Sequence, residues 1–186
     1  MYFDRPGPEN TDEAMRAARR RAEELGIRHA VVASNSGETG LRTLESFGGL
    51  GIDVVVVTLH AGRWPVYEAP DAGKIERLRA GGAKVLTCTH ALLGNVEMAI
   101  RERFGGLQPS ELIAQAYYAI CQGMKVCVEI ALMAADAGLI PVTEEAMAIA
   151  GTGGGADTAV VLKPSYTNRF FDLEVREIVA MPRNKS

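Results

Sequence analysis

The sequence predicts an α/β protein: a three-layer doubly wound sheet, mostly parallel with an antiparallel edge. Three observations lead there. Asp53-Val-Val-Val-Val-Thr58 is a continuous apolar run, the pattern of a strand covered on both faces. Between residues 10 and 104, stretches of helical periodicity alternate with such runs, as parallel strands joined by crossover helices do. Beyond Pro141 the period changes to short apolar runs around a glycine-rich loop, which suits paired strands. At 186 residues, 47% hydrophobic and 23% charged, the chain has material for one sizeable core and reads as a single domain, 1–186.

The elements follow in order. Asn10 with Glu13 marks a capped helix start, and Gly26 its stop. His29–Ser34 is a first buried strand. Gly37–Phe47 is a second helix, with Leu41, Leu44 and Phe47 three apart, closed by Gly48-Gly49. Asp53–Thr58 is the second strand, Ala72–Ala80 the third helix and Lys84–Thr89 the third strand. Ala91–Phe104 reads as a fourth helix ending at Gly105-Gly106. Pro109 opens a long helical pattern running to Gly138, which Gly123 can kink or split. Ala146–Ala150, Thr158–Leu162 and Asp172–Met181 complete the sheet.

Composition narrows the function classes. A net charge of −3 argues against a nucleic-acid or anionic-membrane footprint. Three cysteines without paired spacing argue against a disulfide framework, and Cys88-x-His90 lacks the second ligand pair of a zinc site, so no metal is expected. No apolar run approaches the roughly 18 residues of a membrane span, and Met1–Pro6 has no signal-like apolar region. The expectation is a soluble, cytoplasmic protein. Glycine is the outlier, at 20 of 186 residues.

In open α/β sheets ligands settle at the carboxyl ends of the strands, near the topological switch point. Three segments are expected on that rim. Ser34-Asn35-Ser36-Gly37-Glu38-Thr39 combines hydroxyls, a glycine and a helix start, and reads either as a phosphate cradle or as an ordinary capped turn with Glu38 complementing the helix dipole. Gly151–Thr158 has four glycines in five positions. It lacks the strand-before, helix-after context of a dinucleotide fingerprint, which leaves an anion nest or a plain hairpin loop. Within it Thr152, Gly153, Asp157 and Thr158 are candidate ligand contacts. His60, with Gly62, and His90 leave neighbouring strands and could share a cleft as acid or base, or serve as hydrogen-bonded structural residues. Trp64 could stack on a ligand ring or plug an oligomer contact. Lys125, Glu129 and Asp136 fall on one helical stripe, read as a salt-bridged surface, and Cys127 as a small buried hydrophobe.

Two sets of residues carry a family resemblance. Glu24-Leu-Gly-Ile-Arg-His-Ala-Val-Val-Ala-Ser-Asn-Ser-Gly-Glu-Thr39 resembles the opening of the pyruvate kinase C-terminal α/β domain, and Ala137–Pro141 with Gly151–Leu162 resembles its closing segment. Closer still is a family of free-standing, chiefly archaeal proteins similar to that domain. Its blocks match Pro8–Thr11, Ser36–Thr39, His60–Gly62, Thr89–Ala91, Arg103–Gly106, Gln122–Ala131, Ala134–Pro141, Gly155–Thr158 and Ile178–Arg183. Gly40 stands where relatives tend to have Ala, and Leu59 where a second His is expected.

The resemblance implies a phosphate site carried by Ser34, Ser36, Gly37 and Thr39, and an association with bound flavin mononucleotide (FMN). It does not imply pyruvate kinase activity, whose catalytic barrel alone takes about 250 residues. The functional expectation is a protein that binds a phosphorylated small molecule, FMN first, with catalytic candidates His60, His90 and Lys125. The alternative is a regulatory module binding a sugar phosphate or nucleotide. A homo-oligomer is expected in either case.

Overall fold

The computed structural model describes residues 1–184. In chain order the elements are β1 (Tyr2–Phe3), α1 (Thr11–Leu25), β2 (His29–Ala33), α2 (Glu38–Ser46), β3 (Asp53–Val57), α3 (Ala72–Ala80) and β4 (Lys84–Leu86). There follow α4 (Val96–Phe104), α5 (Pro109–Tyr118), α6 (Gln122–Asp136), β5 (Ala146–Ala150), β6 (Thr158–Lys163) and β7 (Glu174–Pro182). The strands make one sheet in the order β1-β7-β6-β5-β2-β3-β4. β2, β3, β4 and β5 are mutually parallel, and β6 runs against both β5 and β7. The predicted α/β class, mostly parallel with antiparallel pairing toward one edge, is what the chain forms. Among the described residues no helix is long and apolar enough to cross a membrane.

Strand alternation divides the core into two layers. Ala30, Val32, Val54, Val56, Met147 and Ile149 face α1, α2 and α3, while Val31, Val55, Val57, Ala148 and Ala150 face α6. Past the polar first residues His29 and Asp53, β2 and β3 are therefore apolar at every position, as β5 is throughout, because both faces are covered. Low aromatic content lets the layers come close. Ala14, Ala17, Ala18 and Ala22 of α1 are all buried. At Gly40 in α2, an added Cβ would lie 2.9 Å from Val56 Cγ1. Gly40→Ala is thus expected to destabilise the protein by roughly 1–2 kcal/mol despite its gain in helix propensity. Denaturant titration beside a Gly40→Ala/Val56→Ala double variant checks this, because the second change makes the missing room.

Four boundaries differ from the sequence reading, each for a physical reason. Asn10 does not cap α1: Pro8–Asn10 form a single 3₁₀ turn, and the Asn10 amide donates to the carbonyl oxygens of Arg5 and Gly7. Gly26, at φ 65°, does stop that helix. β4 ends at Leu86 and α4 starts only at Val96, since the intervening backbone turns around the Glu129 carboxylate. The long helix breaks at Ala119–Cys121, just ahead of Gly123, into α5 and α6. β1, two residues long, is too short to carry a period.

Candidate functional site

The parallel strands β5, β2, β3 and β4 all end on one rim. The chain runs outward from β2 through β3 to β4 with α2 and α3 on one face. It then crosses back by α6 on the other face to lay β5 on the far side of β2. The order reverses between β2 and β5, so the crevice there is flanked by Ser34–Gly37 and the Gly151–Asp157 loop. The two segments read from the sequence as anion sites are those at the switch point.

Ser34 is buried, with its amide donating to Val57 O and its Oγ accepting from the Gly40 amide at 3.1 Å. Asn35 is exposed and Ser36 partly so. Gly37 takes φ 98°, a left-handed conformation that starts α2 with no side chain of its own to cap it, so the first-turn amide of Gly40 turns to Ser34 instead. The Ser36 Oγ lies 3.5 Å from the Glu38 amide, and Thr39 lines the first turn with little exposure. The Glu38 carboxylate does not lie across the turn as a lone anion: Lys74 Nζ of α3 holds it at 3.0 Å. The turn is a set of hydroxyls and helix-start amides with a neutralised carboxylate beside it.

The glycine loop has a different construction. Gly151 has no room for a side chain, because an added Cβ would lie 2.7 Å from Gly155 O. Asp157 is fully buried, and its Oδ2 accepts from the amides of Gly7 and Thr152, both at 3.1 Å. Its Oδ1 accepts from the Thr158 hydroxyl at 2.8 Å. Thr11 Oγ1 accepts from the Ala156 amide and donates to Pro8 O. Asp157 and Thr158 therefore tie the loop to the N-terminal segment and to α6, where Gly123 packs against Thr158. Of the four candidate contacts in the loop, Thr152 and Gly153 are open to solvent at least in part, whereas Asp157 and Thr158 are buried.

On the β3–β4 side of the rim lies a buried polar cluster. His90, directed inward from the β4 loop, has Nδ1 at 3.3 Å from Glu129 Oε2 and Nε2 at 3.4 Å from Thr58 O. Glu129 Oε1 accepts from the amides of Leu92 and Leu93, both at 2.8 Å, and Oε2 is paired with Lys125 Nζ. Lys125 is 4% and Glu129 1% exposed, so this i,i+4 pair is a buried ion pair rather than the salt-bridged surface read from the sequence. The cause is α6 itself, whose residues from Gly123 to Ala135 are buried almost throughout, Cys127 included. Asp136, at the helix end, is the exposed member, and it accepts from Thr167.

Burial would push the Glu129 carboxyl upward. The hydrogen bond from His90 and the charge of Lys125 outweigh it and bring the group down to about 2. His60 meets His90 edge to face, ring centroids 5.5 Å apart, and is packed between Gly62 and Gly94. Burial, with His90 and Arg63 nearby, holds the His60 imidazole below its ordinary value. At neutral pH this ring is a base, partly open at the rim. Trp64 turns back on its own loop, its indole N–H donating to Leu59 O at 2.9 Å.

His60, His90 and Lys125 are thus brought into one cluster: Glu129 joins Lys125 to His90, and His60 meets it through the His90 ring. The sequence carried one signal for Glu129, a lone Lys–Glu pair in a helix otherwise apolar on every side. No family model matches the chain.

Proposed function

We propose that this protein binds a phosphorylated small molecule, with FMN the leading ligand, at the carboxyl ends of the parallel strands. The observation that carries this reading is the Ser34–Thr39 turn: a glycine-started helix lined by Ser34, Ser36 and Thr39, placed beside the strand-order reversal, in which Ser34 takes the Gly40 amide and the earlier first-turn amides have at most the distant Ser36 hydroxyl. The donor set suits a phosphate. Asn35, Ser36, Gly37 and Thr39 would hold it, with Ser34 bracing the turn and Lys74 keeping Glu38 neutralised. His60, Gly62, Thr152 and Gly153 would line the remainder, while Asp157 and Thr158 shape the glycine loop from within. A bound flavin would supply a redox-active ring. The chain's own residues would orient the phosphate and present His60 as a proton acceptor at the rim.

Purified protein is expected to show or take up flavin, read by its visible absorption and by quenching of flavin fluorescence. Ser36→Ala and Thr39→Ala should each weaken binding about 10-fold or more, the loss of one hydrogen bond to a charged group. No uptake removes FMN from the reading. Thermal-shift screening of sugar phosphates and nucleotides then tests the regulatory alternative on the same variants. A hit that neither substitution weakens would place the phosphate elsewhere.

A further inference from the structure

We propose that the outer face of α4 is the contact through which a second copy of this chain docks, giving a two-fold dimer. α4 has no buried residue. Val96, Ile100 and Phe104 recur every four residues along one stripe, and Val96 and Phe104 are each 76% exposed. Leu107, in the turn after α4, and Leu112, next to the Glu111 that pairs with Arg101, add exposed apolar surface at 60% and 58%. A nine-residue helix is shorter than the roughly 12–15 residues needed for marginal stability alone, so α4 requires cover. Its internal ties are polar and few: Arg101 to Glu111 at 2.6 Å, and Glu97 to the Ser110 amide at 2.9 Å.

The occupant follows from area and charge. These five side chains leave on the order of 600 Å² open, approaching the ~800 Å² per partner of a stable interface. Residues 91–120 carry three acidic and two basic side chains, so the face selects neither a strongly charged protein nor an anionic lipid surface. A near-neutral apolar patch of this size matches itself, and a self-matching patch closes as an isologous dimer. The same contact would brace the site, because α4 begins directly after the Ala91–Asn95 turn that wraps Glu129 and follows His90.

Sedimentation of the full chain over about 1 to 100 µM should show a species of twice the 19.9 kDa chain mass. Phe104→Glu and Val96→Glu should each return the monomer mass with unchanged circular dichroism. Phe171→Ser, removing an exposed aromatic elsewhere on the surface, should leave the dimer intact. Amide exchange in α4 should slow as the unmodified protein is concentrated, a readout that depends on no variant. A monomer throughout the range, concentration-independent exchange in α4, or a dimer that survives both glutamate variants would overturn the proposal. Dissociation caused by Phe171→Ser alone would overturn the assignment of this face. None of these readouts depends on a bound phosphate ligand, so they stand or fall apart from the proposed function.

Discussion

Replacing Glu129 by glutamine is expected to lower stability by about 3–5 kcal/mol, a drop in melting temperature of roughly 10 °C for a chain of this size. The amide oxygen can still accept from Leu92 and Leu93, but an amide NH₂ then faces the Lys125 ammonium and His90 Nδ1. Lys125, 4% exposed, is left as a buried cation without its counter-ion. Lys125→Met combined with Glu129→Gln should recover part of the loss by removing that stranded charge. If the double variant is as unstable as the sum of both single changes, the cost belongs to packing and the ion-pair account is wrong.

The same carboxylate predicts an acid limb. Its value falls from an ordinary 4.5 to about 2 on folding, so the folded protein takes up this proton less readily than the unfolded chain. The stabilisation is complete above about pH 4.5 and is lost as pH falls toward 2. Glutamine has no such proton, so the gap between wild type and Glu129→Gln should narrow over that window. Melting curves across it check the sign.

Asp157→Ala is expected to be the second large effect, also about 3–5 kcal/mol. Its carboxylate accepts from the Gly7 and Thr152 amides and from Thr158; neither amide has another acceptor among the described residues, and the Thr158 hydroxyl has besides only the Cys121 sulfur at 3.6 Å. Removing it strands donors in the interior and frees the N-terminal segment from the glycine loop. Exchange at the Gly7 and Thr152 amides should rise well before global unfolding. Asp157→Asn, which keeps one acceptor oxygen, should restore a substantial part. If ligand affinity were lost with stability and exchange unchanged, Asp157 would be a ligand contact instead of a tie.

Most of the fold was readable from local pattern. The valine run of β3, the three-apart spacing in α2 and the glycine stop at Gly26 are short-range signals, and each element formed where they placed it. The misplaced boundaries have non-local causes. α4 starts late because a carboxylate some 36 residues further along organises the turn before it. β1 exists only because β7 offers it an edge.

The candidate site divides in the same way. By itself the sequence determined that Ser34–Thr39 and Gly151–Thr158 leave parallel strands at the same end, because strand direction and chain order follow from alternation and connection handedness. It could not determine that Lys125 and Glu129 are buried, since an i,i+4 ion pair has the same spacing on a wet face and a dry one. Only the tertiary structure decided that, by closing the His90–Leu93 loop over α6. There, desolvation makes every hydrogen bond to the carboxylate count, and backbone amides and an imidazole supplied from 36 to 39 residues away meet the need.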